Sequence, residues 1–336
     1  MQLCLFGHNC WPFPESCTSL WPVDDGRHRC EFLGRLVGMK VAEVMERAGG
    51  VVDARTLVAF TSRRKVRTAL RKGQIVRDAR GKYALPTAHE ARRAAHRLSG
   101  VMTGKSAAAH YGWEMKTQPV QPTITVPRNR KVTPERGAGV DLRWRNIAMG
   151  EEREGVLLPA PTVIDCARTL LFDEALAIAD SALRHGDVTG PELRRLAEAV
   201  RTNGREQCIR VGREANGKAA NPFESVLRAI SLDVPGIDLV PQVVVTEVGF
   251  VGRPDLVDEG RRLVVEAESF EFHGRRKALK KDCERYTALV LRCWRVIRFA
   301  WEHVMFEPEY VRECLTLLAA LPAPARRRTA RSRRAA

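Results

Sequence analysis

Three carboxylates late in the chain have the types and spacing to hold a divalent cation. Asp255 follows Pro254 on one extended stretch, and Glu266 and Glu268 lie two apart on the next. A period of two puts both glutamates on one face of a strand. Carboxylates gathered on adjacent strands repel unless something compensates them. Mg²⁺ is a suitable compensation, because it takes a few carboxylates and fills its shell with water and substrate phosphate. The same pattern also suits a strand-end aspartate and two glutamates on a solvent-facing edge, so the spacing alone leaves both readings open.

A second group of residues is basic. Arg63, Arg64, Lys65, Arg67, Arg71 and Lys72 crowd one short segment. Arg64, Arg67 and Arg71 recur at three and four, so a helix there presents them on one face. Val66 and Leu70 turn the other way, toward a core. Such a helix inside a helix-turn-helix is shaped for the major groove of DNA. Arg77, Arg80 and Lys82 follow on a hairpin, where they could touch phosphates. The bland alternative is a solvated basic face.

Composition agrees with a polyanionic partner. Lys and Arg number 56 against 40 Asp and Glu, a net charge of +16 with a pI near 9.9. That excess points to nucleic acid or a membrane surface. It is concentrated: residues 61–82 hold nine bases and one acid, and 326–334 hold six arginines and no acid. The rest of the chain is therefore nearly balanced. With 44% hydrophobic and 29% charged residues, the 336-residue chain is globular rather than wholly disordered, collagenous or coiled-coil. No run of 18 apolar residues occurs, so no membrane-spanning helix is expected. Nine cysteines without a CxxC pair suggest reduced thiols and a cytoplasmic protein.

The elements that must position these residues fall into six segments. Residues 1–38 are atypical, with Cys4, Cys10, Cys17 and Cys30 beside His8 and His28. Their spacings match no zinc pattern, and a translated upstream stretch with the true start at Met39 accounts for them more simply. Residues 39–86 read as three short helices and a hairpin, a winged helix-turn-helix. Asp53 is expected to cap the second helix, and Thr61 or Ser62 the third. Residues 87–200 form an α/β middle region of no nameable chemistry, opened by a basic helical link at 87–98. Residues 201–220 are polar and read as a linker. Residues 221–321 read as α-β-β-β-α-β-α, with Asn221-Pro222 starting the first helix. One strand is expected over 250–257 and another over 262–268. Residues 322–336 are a basic tail expected to be disordered. The fold class is mixed α/β.

Arg253-Pro254-Asp255-Leu256, Val265-Glu266-Ala267-Glu268, His273, Asp282, Arg285 and Trp294-Arg295-Val296-Ile297-Arg298-Phe299 together resemble the Vsr-like endonucleases of the PD-(D/E)xK superfamily. Glu266 to His273 is seven, His273 to Asp282 nine, and Asp282 to Arg285 three, as in that family. Glu224, in Asn221-Pro222-Phe223-Glu224, matches the family's helix glutamate. The likeness covers about 221–305. Departures are Glu268 for the usual Asp, Ser269 for Gly, Cys293 for the Gly before Trp294, and no superfamily Lys. Gly49-Gly50-Val51-Val52, the helix at 62–72 and Gly81-Lys82-Tyr83-Ala84-Leu85 look like the winged-helix domain of AbiEi-type antitoxins, a shorter match. The middle region, with Thr162-Val163-Ile164-Asp165-Cys166-Ala167, is similar to what joins the two modules in related chains.

The resemblance implies a restriction-endonuclease-like core and phosphodiester hydrolysis with Mg²⁺ or Mn²⁺. In that reading Asp255 and Glu266 hold the metal, and Glu268 completes the shell or orients water. Glu224 helps through water, and His273 acts as acid/base or phosphate contact. Arg276 and Arg285 meet phosphate oxygens, with a structural pair to Asp282 as the rival role for Arg285. Trp294 is expected in the core. DNA is the expected partner and no membrane is involved. The competing reading is a non-catalytic regulator or antitoxin with a degenerate nuclease-like domain, whose partners could include a cognate toxin. Phosphate contacts do not distinguish DNA from RNA.

Overall fold

The computed structural model describes residues 40–247, 250–268 and 276–324. The protein is mixed α/β, and its chain divides into two compact units. One comprises the described residues through Met102 together with Gln121–Leu157. The other comprises Thr103–Val120 and the described residues from Leu158 onward. The stretch 87–200, read as one middle region, thus contributes to both. The N-terminal cysteines and histidines and the arginine-rich 326–334 lie outside the described residues.

In the first unit, helices Val41–Arg47, Ala54–Phe60 and Arg63–Arg71 precede the strands Val76–Ala79 and Lys82–Ala84. Met45, Leu57, Val66 and Ile75 pack together between them. Gly49 and Gly50 both have positive φ, which lets the chain leave the first helix. The next residues, Val51–Asp53, form a strand absent from the sequence reading, and it pairs antiparallel with Lys82–Ala84. Ser62 caps its helix by accepting from the Lys65 amide at 3.2 Å. Asp53 stands at the start of the second helix without capping it. Its carboxylate turns instead to Lys82 Nζ at 2.6 Å, because an ammonium across the sheet outbids a backbone amide.

A five-stranded sheet completes this unit. Its order is Asp141–Trp144, Thr123–Val126, Val101–Met102, Val156–Leu157, Glu152–Arg153. The helix Glu90–Leu98 buries Ala91, Ala94, Ala95 and Leu98, an apolar stripe at helical spacing.

The second unit joins a helical layer to a four-stranded sheet. Helices Gly104–His110, Pro159–Thr169, Phe172–His185, Gly190–Ala199 and Arg205–Glu214 share a core of Ala108, Trp113, Val163, Ile178, Leu193 and Val211. The stretch 201–220 is therefore not a linker. Its polar composition hides Cys208, Val211 and Ala215 at spacings of three and four, and one face of the Arg205–Glu214 helix is buried. Helix Pro222–Ser231 is buried all along from Phe223 to Ser231. Arg228 reaches Asp180 on Phe172–His185 through two contacts of 3.0 and 2.9 Å, both side chains buried.

Sheet order is Arg295–Ala300, Leu263–Glu268, Leu256–Asp258, Val240–Pro241. The first pair is parallel, connected through helix Arg276–Leu291, and the others are antiparallel. Leu263 and Val265 face the Pro222–Ser231 side with Phe299. Val264 faces the opposite side with Val257, Leu289 and Trp294. The expected strand over 250–257 is two strands. Phe250–Gly252 pairs with Val245–Glu247 in a separate hairpin, and Leu256–Asp258 joins the main sheet. Pro254, which has no N–H to give a ladder, lies in the break between them.

Candidate functional site

Sheet parity assembles the acidic residues of the second unit. Leu256 pairs with Val265, so the next position along places Asp255 beside Glu266. Asp255 shares the parity of Val257, and Glu266 and Glu268 share that of Val264. All three therefore belong to the face covered by Arg276–Leu291. The Asp255 carboxylate accepts from the Ala267 amide at 2.9 Å. Glu266 is only 3% exposed, and it and Asp255 act on each other electrostatically.

The pair is strained electrostatically. Burial pushes Glu266 up to about 8, and the neighbouring Asp255 adds to that. Burial also raises Asp255, against the Ala267 amide, Glu266 and Arg285, which lower it.

Helix Arg276–Leu291 lays cations over these acids. Arg285 Nη1 donates to Glu266 at 2.8 Å, and its Nη2 donates to Asp282 at 3.2 Å and to the Tyr286 hydroxyl at 2.9 Å. Residues 282, 285, 286 and 289 recur at three and four, and Leu289 anchors the same face in the core. Glu268 accepts from Tyr286 and from Arg298, each at 2.6 Å. The Tyr286 ring meets both guanidinium groups, at 4.7 Å for Arg285 and 4.4 Å for Arg298. Burial and the Glu268 contact push the Tyr286 phenol well above its ordinary range.

Glu224 approaches from the other side of the sheet. Its amide is capped by Asn221 at 2.9 Å. Its carboxylate accepts from the Ala220 amide at 2.9 Å, Asn221 Nδ2 at 3.1 Å and Gln242 Nε2 at 3.1 Å. Burial raises it to about 7, and the charge of Asp255 contributes. Gln242 has a positive φ of 55°, and its amide donates to the Asp255 carbonyl at 2.9 Å. It thus ties Glu224 to the segment carrying Asp255.

The structure brings Asp255, Glu266, Glu268, Glu224 and Arg285 into one neighbourhood. His273 lies outside the described residues, as does the side chain of Arg276. Trp294 is buried, and its Nε1 donates to Glu247 at 3.1 Å. Sequence reasoning passed over Tyr286, Gln242 and Arg298 as site residues. For Tyr286 a signal existed, since it sits one turn before Leu289 and beside Arg285.

No group of three His, Cys, Asp or Glu side chains among the described residues is arranged to hold a metal ion. Asp255 and Glu266 nevertheless form a two-carboxylate donor set. One or two carboxylates is what Mg²⁺ commonly takes from a protein, and the pair's mutual repulsion is what a cation would relieve. The fit is to that pair, with Glu268 already engaged by Tyr286 and Arg298.

In the first unit, Arg63, Arg64, Arg67 and Arg71 are exposed along their helix, with Val66 and Ala69 buried beneath. Arg77 and Arg80 are exposed on the hairpin, and Arg77 Nε donates to the Ala79 carbonyl at 3.3 Å. Lys82, expected at a phosphate, is instead held by Asp53 and only 21% exposed. Asp53 lies 3.5 Å from His96 Nε2 as well. The approach of His96, with Lys82 beside it, holds the Asp53 carboxyl down at about 2 against the effect of burial.

No protein-family model matches the chain, and no curated protein matches it. Among solved structures, the chain is similar to the crystal structure of RV2827C protein from Mycobacterium tuberculosis. That likeness has a TM-score of 0.31 and 17% identity, over 62% of this chain and 88% of the other.

Proposed function

We propose that the protein binds DNA and hydrolyses its phosphodiester bonds with Mg²⁺ or Mn²⁺ held by Asp255 and Glu266. The observation that carries this reading is the placing of those two carboxyls side by side on adjacent antiparallel strands, with Glu266 buried. Acids kept together at a cost to folding are characteristic of functional sites. A restriction-endonuclease-like core within 221–321 and a winged helix-turn-helix within 39–86 belong to the same proposal. The parallel crossover through Arg276–Leu291 supports the first, and the three helices with their hairpin support the second.

A cation bound there would offset charge on the scissile phosphate and lower the pKa of a water. Glu224, titrating near 7, is matched to taking and returning a proton at neutral pH. Asn221, Ala220 and Gln242 fix its carboxyl in place. Arg285 and Arg298 offer positive charge to phosphate oxygens. Glu268 acts through its neighbours, setting Tyr286 and Arg298. In the first unit, Arg63, Arg64, Arg67 and Arg71 would enter a groove, with Arg77 and Arg80 on phosphates.

A second reading is a non-catalytic regulator or antitoxin, with a toxin as its partner. It is favoured by the engagement of Glu266 with Arg285 and of Glu268 with Arg298, which supplies counter-charge without metal. Incubation of supercoiled plasmid with the full chain, in Mg²⁺, Mn²⁺ or EDTA, separates the two. Metal-dependent nicking lost in Asp255→Ala and Glu266→Ala supports the nuclease. Gel-shift binding without nicking supports the regulator.

A further inference from the structure

The five-stranded sheet of the first unit ends at the strand Asp141–Trp144, its edge among the described residues. Trp144 is 49% exposed there, a large aromatic left facing solvent. Its indole N–H is already satisfied, donating to the Arg130 carbonyl at 3.0 Å. The ring is therefore anchored at its polar edge while much of its surface stays open. An indole that only needed a hydrogen bond could have been buried with it, as Trp113 is against Asp187.

The surroundings are basic. The turn after Thr123–Val126 carries Arg128, Arg130 and Lys131, all exposed. It is tied to the end of the Trp144 strand through Arg128 N to Asn146 at 3.1 Å and Arg145 N to the Val126 carbonyl at 3.0 Å. Between 127 and 146 the chain has six bases and two acids. One of the acids, Asp141, is paired with Arg143 at 2.9 Å. The local field is therefore positive.

We propose that Trp144 and this turn bind single-stranded nucleic acid, one base stacking on the indole and its phosphates meeting Arg128 and Lys131. An open, anchored ring flanked by cations is the combination that holds unpaired strands without reading sequence. A duplex keeps its bases stacked inside and offers such a ring nothing to cover. The contact requires neither the acids of the second unit nor the Arg63–Arg71 helix, so it stands apart from the proposed nuclease.

Fluorescence anisotropy with labelled oligo-deoxythymidine and oligo-uridine, using the full chain, tests this. Trp144→Ala should weaken binding roughly 5- to 100-fold, and Trp144→Phe should retain most of it. Arg128→Glu with Lys131→Glu should also weaken it and flatten its salt dependence. Because those two side chains are exposed, this variant decides the matter if Trp144→Ala proves unstable. Failure of the unmutated chain to bind either oligonucleotide, or affinity within twofold after the charge reversal, overturns the proposal. Preference between the two oligonucleotides identifies whether DNA or RNA is the natural strand.

Discussion

Arg285 Nη1 donates to Glu266 at 2.8 Å, from the helix that covers the sheet to the sheet's inner strand. The guanidinium is the nearest counter-charge that a nearly buried carboxyl finds. A divalent cation on Asp255 and Glu266 would serve the same need, so the two compete. Above pH 8, where Glu266 is ionised, Arg285→Met should lower the melting temperature without metal, by a loss on the order of 2 kcal/mol. Added Mg²⁺ should then raise it more than in the unmutated protein. Thermal unfolding with and without Mg²⁺ checks this, and an equal or smaller metal effect in the variant contradicts it.

The raised carboxyls make stability depend on pH in a definite direction. Folded Glu224 and Glu266 keep protons up to about 7 and about 8, whereas the unfolded chain releases them in the ordinary carboxylate range. Their stabilising share is complete in acid below that range and is lost as pH rises through 8. Glu266→Gln should recover at least about 2 kcal/mol of the loss at pH 8. Denaturant melts at several pH values measure it. A slope unchanged by the substitution would show that Glu266 is ionised throughout.

Lys82 and the arginines of Arg63–Arg71 should separate stability from binding. Lys82→Met removes one of the two partners of Asp53, whose lowered carboxyl contributes stability above the ordinary carboxylate range and loses it as pH falls toward 2. At neutral pH the cost should be under about 1 kcal/mol, since the carboxylate is half exposed, and DNA affinity should be little changed. Arg64→Ala with Arg67→Ala should do the reverse, leaving the melt intact and weakening duplex binding with a shallower salt slope. Paired melts and gel shifts distinguish them.

Cys293 has a φ of 61°, in the left-handed region that glycine occupies freely. Its carbonyl accepts from Arg262 Nε at 3.3 Å, which helps fix the turn before Arg295–Ala300. Cys293→Gly should stabilise the protein by about 1 kcal/mol. A lower midpoint in urea would mean that the thiol's packing outweighs the backbone strain.

Local chemistry was legible in the sequence, and distant partnership was not. The Ser62 cap, the exposed basic face of Arg63–Arg71 and the shared face of Glu266 and Glu268 follow from periods of 3.6 and two, which need only near neighbours. The Asp53 misreading shows the limit, because its partner Lys82 lies across a sheet that propensity cannot assemble. Tyr286 with Glu268 spans 18 residues, Arg298 with Glu268 spans 30, and Arg228 with Asp180 spans 48. Periodicity says which way such residues face and not what meets them there. The Arg205–Glu214 helix was hidden for another reason. Three arginines and two glutamates masked a narrow buried stripe.

In the proposed function, Asp255 and Glu266 hold a divalent cation. Calorimetric titration of Mn²⁺ into the full chain, alongside Asp255→Asn and Glu266→Gln, tests it most directly. One ion should bind per chain with release of protons, and each substitution should weaken binding at least tenfold while leaving the protein folded. No binding by the folded, unmutated chain, or equal binding by both variants, would contradict it.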